Sequence, residues 1–258
     1  MPISPGVVRN RILASMPPPL FERLRPKLQP ITLKQRAILQ EHNRPIEHVY
    51  FIERGVASLL ARTNRDGPVE VAIVGRFGFI GVAAVLGTMR SPNRCLMEVP
   101  GEALRINAND IRCVMEETPL VRQHLLNYVH ALLIQNTQTA LCNIRHQLEE
   151  RLCRWLLLAS DRLDEKVVPV THDQLAMILG VRRAGVTTTL AELEGRGAVA
   201  KTRGAIEIVT RDILEAKTCE CYRIISSEYN RVTNAGSYHY TLDKAPALVG
   251  HSIQVDRN

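Results

Sequence analysis

The spacing of apolar positions changes character several times along the chain. Over residues 17–28, PPPLFERLRPKL, a run of prolines leads into Leu20, Leu24 and Leu28 at four-residue spacing. That spacing predicts a short helix with one apolar face, ended by Pro30. From Ile31 to about Ile106 the texture is of short β-type runs, including HVYFIERGVASLLAR and VEVAIVG, punctuated by Gly55, Asp66-Gly67 and Gly75. The Asp-Gly pair predicts a hairpin between strands at 56–62 and 69–74. Strands this short bury a face only by closing or stacking, so an antiparallel β domain of roughly 80 residues is expected, within residues 17–118 and behind an N-terminal arm, residues 1–16.

Beyond Ala108 the period becomes helical and stays so to Leu163, with Pro119 suited to the first turn of a long helix at 119–145. Leu126, Val129, Leu133, Asn136 and Ala140 follow the alternating three-four spacing of a coiled-coil seam. They predict a parallel helix pair across a dimer axis, with Asn136 fixing the register. The other reading has Asn136 solvated and the stripe packed on its own β domain. A further helix near Ile144 to Leu163 carries Leu148, Leu152, Trp155, Leu156 and Ala159 on one face, which suits packing against a C-terminal domain at 146–217. Trp155 reads as core. Asp161 to Val170, charged and β-branched, reads as a linker and first strand.

The most informative stretch is THDQLAMILGVRRAGVTTTLAELEGRGAVAKTRGAIEIV, residues 171–209. Thr171 with Gln174 forms a capping box, so a helix begins at His172, and Gly180 ends it. A second helix runs from near Arg182 to Glu194 and buries Val186, Leu190 and Leu193. Ala176, Gly180 and Val186 give the small and apolar residues that two closely crossing helices need, which predicts a helix-turn-helix. Gly195 and Gly197 then break the chain, AVAK and AIEIV flank Thr202-Arg203-Gly204 as a β-hairpin wing, and Thr210 caps a last helix through Leu214. From Arg182 to Arg203 there are five basic and two acidic residues. Arg182 and Arg183 open the second helix, where positive charge opposes the helix dipole, so the sequence accepts a small penalty there. Lys201 and Arg203 fall at the wing tip. These are places where phosphates and base edges are met.

Composition supports a folded globular chain and excludes little else. The net charge of +7 favours approach to a polyanion, while 4% aromatics argues against single-strand binding by base stacking. The longest apolar run, Phe79 to Gly87, is nine residues, about half of a bilayer span. Arg9 and Arg11 stand where a secretory segment would need apolar residues, so no membrane partner and a cytoplasmic location are expected. The six cysteines, Cys95, Cys113, Cys142, Cys153, Cys219 and Cys221, include no CxxC pair and no zinc-type Cys/His spacing. They are read as small hydrophobes, no metal is expected, and Cys219 and Cys221 stand out as the closely spaced pair. No nucleophile–base pair, phosphate-gripping glycine loop or HExxH motif points to an enzyme.

With VYFIERGVASLL (49–60), GRFGFIGVAAVL (75–86), the long helix and residues 171–209, the chain to about residue 217 resembles the cAMP receptor protein/FNR family of bacterial transcription regulators. The resemblance implies an α+β chain: a cyclic-nucleotide-binding-like β-roll (jelly roll), a long dimerisation helix and a C-terminal winged helix-turn-helix. It implies a homodimer on double-stranded DNA, with RNA polymerase as a further partner. Arg183 falls where the family places a guanine-reading arginine, and Arg182 on a phosphate-contacting position. The next base-reading positions, commonly Glu and Arg, are here Ala184 and Thr188, so readout differs and passes to Thr187 and Thr188.

The effector pocket departs further. Where cyclic-nucleotide binders have Glu after FxG, this chain has Gly81-Val82, and ten positions on lies Pro92, with Arg94 two further. An apolar side chain cannot satisfy a ribose hydroxyl, so cAMP and cGMP are not expected as ligands and the effector is unknown. The clustered N-terminal cysteines of the family's iron–sulfur sensors are absent, the first cysteine being Cys95. A second reading makes the chain a sensing module acting mainly through protein contacts. Residues 218–258, polar and mixed, read either as a tail or as an extra lid.

Overall fold

The computed structural model describes residues 8–61 and 67–234. Asp66 of the expected hairpin lies outside them, as do residues 1–7 and 235–258. In chain order the elements are α1 (Arg11–Ala14), α2 (Pro18–Leu24), β1 (Gln29–Leu33), β2 (Ile38–Gln40), β3 (His48–Ala61), β4 (Val69–Val74), β5 (Phe79–Ile80), α3 (Val82–Val85) and β6 (Arg94–Asn107). Then come α4 (Ala108–Glu117), α5 (Pro119–Arg145), α6 (Leu148–Leu163), β7 (Val167–Val168), α7 (His172–Leu179), α8 (Arg183–Gly195), β8 (Val199–Thr202), β9 (Ala205–Ile208), α9 (Arg211–Lys217) and α10 (Glu220–Thr233).

The β-roll is antiparallel, in the order β1-β6-β3-β4, with β2 on β6 and β5 on β3. β3 and β6 are 14 residues each and form its spine, pairing from His48↔Asn107 to Leu60↔Arg94 through several register shifts. β3 then turns back into β4, Ala61 facing Val69, so the predicted hairpin stands with a longer first strand. Pro30 does not end the preceding helix but lies inside β1, an edge strand bonded to β6 alone, where its missing N–H costs no ladder bond. The first described residues are not a loose arm. Ile12 and Leu13 are buried, Asn10 caps α1, and its amide donates to Ile52 O and Gly78 O at 2.9 and 2.8 Å.

The helix expected from Ile144 begins at Leu148, after a break at His146 and Gln147, because Gln147 and Glu150 form a capping box there. Ile144 belongs to α5 and is 80% exposed. The α6 face of Leu152, Trp155, Leu156 and Ala159 is buried as the spacing required. Within residues 218–258, read as either a tail or an extra lid, residues 220–233 form α10, which packs on α5 and α6 with Ile225, Tyr229 and Val232 buried.

At the centre of these elements lies Arg162, which is 3% exposed. Its Nε donates to Ile73 O at 3.0 Å, Nη1 to Leu158 O at 3.1 Å and Nη2 to Gln135 Oε1 at 2.6 Å, while the Tyr229 ring lies 4.9 Å from the guanidinium. β4, α5, α6 and α10 thus meet on one cation. Gly75 is required beside it, since a Cβ there would stand 2.6 Å from Arg162 Cβ.

A second buried group joins β4 to α6. Glu70 accepts hydrogen bonds from Ser58 Oγ and from Trp155 Nε1, the latter at 2.7 Å. Burial raises its pKa to about 7, although both bonds favour the charged form. A carboxyl whose folded pKa exceeds its unfolded value contributes stability below the unfolded pKa and loses it as pH rises through the folded one. The stability of the protein relative to Glu70→Gln should therefore fall from about pH 4.5 to about 7, by up to about 3 kcal/mol, and level off above. Denaturant unfolding of both proteins across that range tests this, and parallel curves would refute it.

Candidate nucleic-acid interface

The helix-turn-helix forms as its sequence dictates. Thr171 accepts from Gln174 N at 3.2 Å, and Gln174 Oε1 accepts from Thr171 N at 2.9 Å, which fixes the start of α7. Gly180 ends it with φ +64°, a left-handed conformation that glycine adopts without a Cβ penalty. Ala176, 8% exposed, and Val186, fully buried, allow the two helices to cross closely. Val186, Leu190 and Leu193 form the inner face of α8. The opposite face, with Arg183, Ala184, Thr187 and Thr188, is open to solvent.

The expected DNA-contacting residues divide into free and committed groups. Arg182 is the exposed N-cap of α8 and makes no side-chain cap bond. Arg183 lies 3.4 Å from Asp173 on α7, an exposed pair that screening keeps weak and readily exchanged. Thr187 Oγ1 lies 3.0 Å from His172 Nδ1, and Thr188 donates to Ala184 O at 3.1 Å. Thr171 is exposed, but its hydroxyl serves the capping box.

At the wing, β8 and β9 pair from Val199↔Ile208 to Thr202↔Ala205 around Arg203-Gly204, so Arg203 is at the tip. Lys201 is not. Its Nζ sits 2.6 Å from Glu194 Oε2, and this bond holds Glu194 below the usual carboxylate range. Thr210 takes the cap position of α9 but forms no side-chain cap bond.

Two contacts that the sequence did not signal tie this domain to the β-roll. Gln174 Nε2 donates to Glu98 Oε2 of β6 at 3.0 Å, so the capping residue of α7 also holds the sheet. Arg76 makes paired 2.8 Å bonds to Asp164 at the end of α6. Partners so distant in sequence leave no periodic trace.

The β-roll encloses a cavity of about 350 Å³ between β5, α3, the loop before β6 and α5. Gly81 and Val82 line it as expected. Arg94 does not: it opens β6 and pairs with Glu41 at 3.3 Å, while Arg90, four residues earlier, is the arginine at the cavity. The lining includes Gln40, Thr88, Ser91, Asn93 and Asn136 but no carboxylate among the described residues. Val129, Leu132 and Leu133 of α5 close it, so the cavity abuts the expected seam helix. On that helix Leu126, Leu133 and Ala140 are exposed, together with Leu141 and Ile144. Val129, at 6% exposure, is buried within its own chain. Asn136 is half-buried at the cavity, with its Oδ1 buried and without a hydrogen-bond partner among the described residues.

Residues 150–217 match the family described as Crp-like helix-turn-helix domain. A comparison with curated proteins found no match. Among solved structures the chain is similar to FixK2 from Bradyrhizobium japonicum, at 14% identity and a TM-score of 0.66, covering 74% of this chain and 98% of that one. The c-di-GMP-responsive global regulator CLP of Xanthomonas campestris is similar at 15% identity and a TM-score of 0.61, covering 74% and 99%. A CRP/FNR-family transcriptional regulator from Thermus thermophilus is similar at 19% identity and a TM-score of 0.60, covering 73% and 97%. No described helix is long and apolar enough to cross a membrane. The chain thus carries a Crp-like helix-turn-helix domain on the fold of the CRP/FNR-family transcription regulators.

Proposed function

We propose that this chain is a sequence-specific DNA-binding regulator of transcription that acts as a homodimer, with α8 of each copy in successive major grooves of a pseudo-palindromic site about one helical turn apart. The observation that carries the reading is the outer face of α8, where Arg182, Arg183, Thr187 and Thr188 stand exposed beside a wing tipped by Arg203. The apolar stripe of Leu126, Leu133, Leu141 and Ile144 supports the dimer, because a second copy of α5 would remove it from water. The 350 Å³ cavity against that same helix supports control by a small molecule. Cyclic nucleotides are poor candidates for it, since Val82 offers the ribose no acceptor and Arg94 is turned to Glu41. The proposed site of action is the cytoplasm, where the chain meets DNA.

Selection of binding sites from a random DNA pool, followed by affinity measurement on a selected and a scrambled site, tests this function; equal affinity for both would refute it. Arg183→Ala should lose about 1–3 kcal/mol per half-site on the selected sequence and relax preference at one base pair. Arg203→Ala should weaken both sequences alike and reduce the salt slope by about one. If Arg183→Ala weakened both equally, Arg183 would be a phosphate contact and readout would pass to Thr187, Thr188 or DNA shape.

Light scattering should give a dimer at micromolar concentration, and Leu133→Asp should shift it toward monomer and weaken DNA binding together. A wild-type monomer would remove the seam. Titration calorimetry should find no physiological affinity for cAMP or cGMP. Low-micromolar binding of either would show that Arg90 or its polar neighbours replace the missing anchors.

A further inference from the structure

We propose that Cys142, His146, Cys219 and Cys221 bind one zinc-type divalent cation, through three thiolates and one imidazole. Cys142 lies in the last turn of α5 and His146, four residues on, is its C-cap, with its N–H donating to Cys142 O. Cys219 caps α10 and Cys221 lies in its first turn. The docking of α10 on α5 brings the two pairs together, so that their four ligand atoms all lie within 4.8 Å of one another. Neither pair has zinc-type spacing alone, which is why the sequence predicted no metal. The signal is an i, i+4 Cys/His pair at the end of one helix and a Cys-x-Cys at the start of another, and only the fold joins them.

The dimensions suit a single ion. Sulfur at about 2.3 Å and nitrogen at about 2.0–2.1 Å from a tetrahedral centre place the ligands roughly 3.5–3.8 Å apart. Here the Cys142 and Cys219 sulfurs are 3.5 Å apart, and Cys221 Sγ lies 3.6 Å from His146 Nδ1. A sulfur separation of 3.5 Å is far outside the roughly 2.05 Å of a disulfide. An iron–sulfur cluster distributes its ligands over more than one metal atom and needs a wider cage than 4.8 Å.

The surroundings point the same way. Cys142, Cys219 and Cys221 are 0%, 5% and 1% exposed, yet they form an island separate from the main apolar core. Buried thiols acting merely as small hydrophobes would merge with that core, as Cys153 does. Three thiolates around a divalent cation leave one negative charge. Arg154, 4% exposed, is a buried cation whose Nη1 lies 3.4 Å from Thr139 Oγ1, three residues before Cys142 on α5, where its positive charge offsets the negative charge of the site. The N-terminus of α10 adds its dipole to the same effect. On binding, each thiol that still carries a proton releases it to solvent, and the ion then staples α10 to the end of α5.

The test uses the full-length chain, purified under reducing conditions and dialysed against a weak chelator. Elemental analysis should find about one zinc per chain. Cobalt substituted for zinc should give thiolate charge-transfer and tetrahedral d–d absorption. Cys142→Ser and Cys219→Ser should lose the metal while the exposed Cys113→Ser keeps it. Stripping the metal from the unmutated protein should raise hydrogen exchange in residues 220–233 and lower the melting temperature, a readout that does not depend on a variant folding. The proposal is overturned if the unmutated chain neither holds zinc nor takes it up stoichiometrically, if it carries iron with acid-labile sulfide, or if Cys142 and Cys219 are found as a disulfide in the reduced preparation.

Discussion

A guanidinium cannot be neutralised by a change of protonation within a protein, so burying one commits everything around it. Arg162 imposes that condition here. Left without acceptors it would cost several kcal/mol, and it is satisfied only when Ile73 O, Gln135 and Leu158 O converge and Tyr229 covers its face. Each acceptor belongs to a different part of the chain: a strand of the β-roll, the long helix, and the helix that opens the DNA-binding domain. The cation therefore sets where α5 and α6 cross and how closely β4 approaches them. Gly75 leaves room for the stem of Arg162, and Tyr229 of α10 covers its head.

The same junction carries contacts between the β-roll, which holds the cavity, and the C-terminal domain. Trp155 on Glu70, Gln174 on Glu98, and Arg76 on Asp164 each bridge the β-roll and the C-terminal domain. Two of the three use partly or fully buried carboxyls whose burial holds their pKa above the ordinary range. Such groups are sensitive to small changes in spacing, because losing a donor leaves a carboxyl in low dielectric without compensation. Gln174 is placed so that the register of α7 and the position of β6 are not independent.

Much of this was readable in the residues alone. The capping box at Thr171, the left-handed stop at Gly180, the buried trio on α8 and the Gly204 wing turn are local, and local chemistry is written in adjacent residues. What the residues alone did not show depended on partners far away in the chain. Arg94 looked like a pocket residue by counting along a loop, but strand β6 begins there and hands the cavity to Arg90. Val129 has seam spacing and is nonetheless covered by its own β-roll. Residues 220–233 read as polar because only one face of α10 is apolar, and that face has meaning only against α5. The four clustered Cys and His residues are the extreme case, two unremarkable pairs 77 residues apart that a helix docking brings together.

The burial of Trp155 has a consequence for how this architecture can be recombined. Its indole lies on α6, inside the segment that matches the Crp-like domain, yet its hydrogen bond goes to β4 of the β-roll, against which α6 packs. The boundary between the two functional halves therefore runs through a shared core rather than along a linker. Exchange of the C-terminal segment between regulators would carry a large aromatic surface into a foreign sheet. The β-roll and the C-terminal domain of this chain are therefore constrained to diverge together.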